Sequence, residues 1–175
     1  ETAKLKRELI NDIGNREYSA NVHVMKCFSV AMIVYTIIFV LDVLDIFIID
    51  KSIMITGFIP SIIIYLMVLI VTKFVSLSNK KMKYLILFST IVVFTLIGVT
   101  TTYHAVVVSL LPLSYAILYS SKRVMRFVYG LTVVSTVVVV YAGYYFGLCD
   151  ANMTLLTTTR LENYIVDGVF TLVTP

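Results

Sequence analysis

Apolar residues in this chain fall into long runs, separated by short polar breaks. The first run covers about 27–49. Its core from Phe28 to Leu41 is uncharged, and Asp42, Asp45 and Asp50 stand at its far end. A second run, about 53–73, follows the very short turn Asp50-Lys51-Ser52 and contains Gly57 and Pro60, so a kink is expected there. The third covers about 84–102. A tight hairpin at Thr100–His104 leads to a fourth run, 105–120, with Pro112 near its middle. The fifth covers about 127–148. The other breaks are basic loops at 76–83 and 121–126. Runs of about 20 residues match a hydrocarbon core about 30 Å thick. The pattern predicts an all-α, polytopic transmembrane bundle of about five spans.

The flanks read differently. Over residues 1–26, Leu5, Leu9 and Ile13 recur at every fourth position among charges, which predicts a short amphipathic helix. Gly14 is placed to end it. In the tail 149–175, Tyr164-Ile165-Val166 and the run 169–173 flank Asp167-Gly168. Two readings of the tail stand side by side: a two-residue β-hairpin, or a loop leading into a sixth span. The chain begins at Glu1 rather than Met and stops at Pro175 in mid-pattern, so a fragment of a longer protein is expected. The expected domains are thus a lead-in (1–26), a five-helix membrane domain (27–148) and a tail (149–175).

Composition agrees with lipid as the solvent. The chain is 59% hydrophobic and 14% charged, against about 25% charged in a soluble domain. Charge adds the orientation. Lys4, Lys6, Arg7, Arg16 and Lys26 precede the first span. Lys73, Lys80, Lys81 and Lys83 lie between the second and third, and Lys122, Arg123 and Arg126 between the fourth and fifth. These are twelve of the fourteen basic residues, leaving Lys51 and Arg160. The positive-inside rule then places the N-terminus in the cytoplasm and the tail outside. Tyr84, Tyr103, Tyr119, Tyr129, Tyr144 and Tyr145 fall near span ends, as interface anchors do. The net charge of +4 reports this topology, and nucleic acid is not an expected partner.

Candidate chemistry is sparse. Asp42 and Asp45 share one face of the first helix at i, i+3. Facing lipid, an acid is costly, so the pair is expected either to form a cation or polar-ligand site in the outer half of the bundle, or to mark the helix end at the outer water. His104 and Tyr103, on the third-to-fourth hairpin, lie at the same level, as do Asp50 and Asp150. His23 sits on the inner side, away from His104, so zinc chemistry is not expected. Cys27 and Cys149 fall at opposite ends of spans, about 30 Å apart, too far for a disulfide. Gly143 and Gly147 fit a small-xxx-small packing pattern. Asn152-Met153-Thr154 is a glycosylation sequon that matters only in a eukaryotic secretory pathway. No phosphate loop, zinc-type HExxH or nucleophile elbow is present, so neither catalysis nor a cofactor is expected within these residues.

The run Leu5-Lys6-Arg7-Glu8-Leu9-Ile10-Asn11-Asp12-Ile13-Gly14-Asn15-Arg16-Glu17-Tyr18-Ser19-Ala20-Asn21, leading into His23-Val24-Met25-Lys26-Cys27-Phe28, together with the five-span layout, resembles the N-terminal membrane region of bacterial signalling proteins. Membrane-bound diguanylate cyclases and related sensor kinases are the type. The resemblance implies a dimeric sensory module that detects a small-molecule ligand or the state of the membrane. It implies a further span and a cytoplasmic output domain, and neither is present, nor is a GGDEF-type signature. The competing expectation is a substrate-binding membrane subunit of a small-molecule transporter; another is a structural membrane protein with no ligand.

Overall fold

The computed structural model describes residues 2–44, 51–101, 108 and 110–145, and side chains over 14–44, 51–101, 108 and 110–142. Among the described residues every regular element is helical: α1 (Thr2–Val43), α2 (Lys51–Phe74), α3 (Met82–Thr100), α4 (Leu111–Ile117) and α5 (Lys122–Tyr145). Four of them are long and apolar enough to cross a membrane: Gly14–Val43 within α1, α2, α3, and Lys122–Ala142 within α5. Over its described residues the chain is an all-helical, multi-pass membrane bundle.

Burial explains why lipid must be the outer solvent. In α1, Val24, Phe28, Met32 and Tyr35 point inward, while Val30, Ile33, Val34, Ile37 and Val40 lie exposed on the opposite face. In α5, Val124, Val128, Thr132, Ser135 and Val139 form the inner stripe, and Val133, Val134, Val137 and Val138 the outer one. Both faces are apolar. In water the outer faces would form a large sticky patch; in a bilayer they meet acyl chains. α3 touches all four other helices. It is also the most enclosed of the apolar spans, 56% buried against 22% to 33% for the rest.

Paired contacts fix the direction of each helix. Glu17 meets Lys83 and Tyr35 meets Thr100, so α1 and α3 run parallel. Tyr84 packs on Phe127 and Thr95 bonds Ser135, so α3 and α5 are parallel too. Phe28 packs on Tyr65 and Tyr35 on Phe58, so α2 is antiparallel to α1. Thr101 therefore lies at one end of the bundle. Tyr119, bonded to Asn21, lies at the other. Between these ends, Tyr115 of α4 packs beside Phe94 midway along α3. The fourth span expected over 105–120 is not among the four span-length helices, and its residues 105–107 and 109 lie outside the described residues. Its described regular part is only the seven residues of α4.

Several local expectations need correction. α1 does not stop at Gly14 but runs unbroken through it. A mid-helix glycine costs about 1 kcal/mol relative to alanine, too little to end a helix whose following turns pack into the core. Pro112 lies in the first turn of α4, not in mid-helix. There its missing N–H has no intrahelical partner to lose. α5 begins at Lys122, so the expected basic loop 121–126 is mostly its first turns. Pro60 lies inside a continuous α2. Residues 102–104 of the hairpin expected at Thr100–His104 and the whole tail 149–175, with its sequon and Cys149, lie outside the described residues, and the side chains of 2–13 and 143–145 do too.

Candidate functional site

Polar side chains inside the bundle form layers. The basic end is tied by Asn21, 1% exposed on α1. Its Nδ2 donates to the carbonyl of Leu77, in the α2–α3 turn, at 2.6 Å. Its Oδ1 accepts from the Tyr119 hydroxyl at 2.7 Å. One amide thus joins α1, the α2–α3 turn and the α4–α5 turn. Burial first, and the Glu17 carboxylate second, hold the Tyr119 phenol well above the usual range, so it stays protonated as a donor. One turn before Asn21, Glu17, half-buried, accepts from Nζ of the buried Lys83 at 2.6 Å. Lys83 Nζ also stands 5.6 Å from the centre of the Tyr84 ring.

Midway, Tyr65 donates to Ser29 at 2.8 Å, and Thr95 and Ser135 share a hydrogen at 2.6 Å. Such interhelical bonds average about 0.6 kcal/mol in lipid. They set register more than they supply stability.

The opposite end is built around Tyr35, Gly57 and Thr100. The Tyr35 and Thr100 hydroxyls lie 2.8 Å apart, both buried. Gly57 lets them meet: a Cβ there would overlap the Thr100 methyl and press on the Tyr35 hydroxyl at 3.1 Å. Phe58 packs against Tyr35 at 5.5 Å and stacks on Phe39 at 3.9 Å. Asp42 follows Phe39 by three residues and Tyr35 by seven, on the same face of α1. It is 1% exposed. Among the described residues both of its carboxyl oxygens are buried and have no hydrogen-bond partner, and Thr132 Oγ1 is the other such group.

Of the predicted site residues, Asp42 is therefore placed inside the bundle. It does not simply mark a helix end in water, since Val43 and Leu44, which follow it, are the exposed ones. Asp45, Tyr103 and His104 lie outside the described residues, as do Asp50 and Asp150. His23 is exposed, and among the described residues no group of three His, Cys, Asp or Glu side chains stands close enough to hold a metal. Cys27 is a free thiol. Tyr119, expected as an interface anchor, is instead an interior donor. Asn21, Tyr35 and Thr100 were not singled out by the sequence. The only available signal was their position: a polar residue on the inner face of an apolar helix needs a partner. No family model, curated protein or solved structure matches the chain.

Proposed function

We propose that this chain is the membrane-embedded sensory module of a bacterial signalling protein. Its basic end faces the cytoplasm, and the Asp42 end takes up a cation or a small polar ligand. It works as a dimer and passes its change of state to a cytoplasmic output domain. The supporting observation is the unbroken α1. One helix carries the buried, unpartnered Asp42 at one end and the Asn21 tie at the other. It then continues N-terminally to Thr2. A helix rises about 1.5 Å per residue, so Asp42 and Glu17 are about 38 Å apart on a single rod. A ligand that prefers one position of that rod shifts the population toward it, and the rod moves both ends together.

The reading is tested without knowing the ligand. Asp42→Asn keeps the side chain's size and removes its capacity to hold a cation. Backbone hydrogen exchange should then change both around Asp42 and around residues 14–21. A change confined to the last turns of α1 would falsify the sensor reading and favour a binding subunit or a passive anchor. Orientation is separately checkable. In a Cys27→Ser/Cys149→Ser background, Lys80→Cys should resist membrane-impermeant thiol reagents applied to intact cells and react after lysis; labelling in intact cells would invert the topology.

A further inference from the structure

The described side chains next to Asp42 are apolar. Phe39 lies one turn before it on the same face of α1. Phe39 stacks on Phe58 of α2, with ring centroids 3.9 Å apart and planes 2° apart. Because α2 runs antiparallel to α1, Met54, one turn before Phe58, comes level with Asp42, and it is fully buried. Stacking uses one face of each ring, and among the described residues no ring but Phe58 meets Phe39.

Free oxygens are scarce at this end of the bundle. The Tyr35 and Thr100 hydroxyls already bond each other, and Tyr35 lies seven residues, about 10 Å, back along α1. The Thr101 hydroxyl donates to the Ile97 carbonyl at 2.6 Å. Among the described residues Asp42 is thus the one buried polar side chain here that lacks a bond.

That lining selects among cations. A charge buried away from water needs a counter-charge. A hard metal ion also needs about six or more oxygens, and Asp42 offers two. An ammonium ion needs only as many acceptors as it has N–H groups, and its carbon groups share the positive charge and pack well on aromatic rings. Two carboxylate oxygens match one or two N–H groups. A primary amine brings three, and a quaternary one brings none.

Resting on the reading of the Asp42 end as a binding site, we propose that its ligand is a secondary or tertiary alkylammonium ion. Its N–H groups donate to the Asp42 carboxylate, and its carbon groups pack on Phe39, Phe58 and Met54.

Thermal unfolding of the full chain in one detergent, at neutral pH and fixed total chloride, tests this. Sodium is replaced stepwise by triethylammonium, by potassium or by calcium. The unfolding midpoint should rise and saturate with triethylammonium alone. Asp42→Asn should weaken that apparent affinity at least about 30-fold, as loss of one partner of a buried charge pair does. Phe39→Leu, which keeps an apolar side chain but removes the ring, should weaken it about 5-fold, and Phe39→Tyr should stay within about 2-fold. A midpoint that follows sodium, potassium or calcium, and loses that dependence in Asp42→Asn, overturns the amine while leaving the binding site in place. No Asp42-dependent shift with any of these ions overturns the amine and the cation site together. Unchanged affinity in Phe39→Leu overturns the aromatic contact. If Phe39→Leu does not fold, the ion series on the parent chain and Asp42→Asn decides.

Discussion

Replacing Asn21 with alanine should destabilise the bundle by about 2–5 kcal/mol, more than any change to the ion pair one turn away. The substitution deletes little apolar volume. Its cost lies in what it leaves behind. The Leu77 carbonyl and the Tyr119 hydroxyl both lose their partner, and Tyr119 is only 8% exposed. A buried polar group left without a bond costs about 1–3 kcal/mol. Two such groups at one site need not add fully, hence the range. The Glu17–Lys83 pair is as short, at 2.6 Å, but its side chains keep 19% and 11% exposure. Glutamine keeps a carbonyl oxygen that can still accept from Lys83, and Glu17 retains some exposure, so Glu17→Gln should cost about 1 kcal/mol. Tyr119→Phe should fall between the two, since it orphans Asn21 Oδ1 alone. Thermal unfolding of the purified chain in one detergent ranks the three variants. If Glu17→Gln proved as damaging as Asn21→Ala, the basic end would be held by charge and not by the amide.

The contrast between Asn21 and the lysines shows where the sequence was legible and where it was not. Long apolar runs can only be helices in lipid, because every backbone group must be satisfied within the segment. So α1, α2, α3 and α5 could be read from run length and the breaks between runs. Basic residues segregate by loop, and the structure does gather Lys83, Lys122 and Arg126 at one end with Asn21 and Tyr119. Helix ends were harder. A glycine such as Gly14 is a C-cap only if the helix gains nothing by continuing, and that depends on packing further along. Basic loops and basic first turns look alike in sequence, which hid the start of α5. Internal polar pairs were harder still. In a bundle with apolar faces both inside and out, periodicity does not reveal which face is inward. Tyr35 and Thr100 read as single polar residues until α1 and α3 are set side by side. Asp42 was the exception, because the cost of facing lipid forces an acid inward or to the interface.

That cost now carries the second large effect. Asp42→Leu should make the bundle more stable by about 1–4 kcal/mol. A carboxylate that is 1% exposed has given up its hydration, and neither oxygen has regained a hydrogen bond. Exchanging even a buried ion pair for hydrophobic side chains of similar volume is often neutral or stabilising by that amount, and a buried carboxyl group with no partner has still less to lose. Leucine also suits its neighbours, since Phe39 and Phe58, one turn away, already form a stacked apolar contact. Asp42→Asn should gain less, because the amide brings its own unmet bonds. A ligand that occupies the site would appear in the same measurement. Binding to the folded state alone stabilises by about 2.7 kcal/mol at a hundredfold excess over Kd. Cations or small amines that raise the unfolding temperature of the parent chain should therefore leave Asp42→Leu unmoved. A stabilised, unresponsive variant is what a residue retained for binding predicts. A loss of stability in Asp42→Leu would instead mean that the carboxylate holds the fold together, and the site would have to be sought elsewhere.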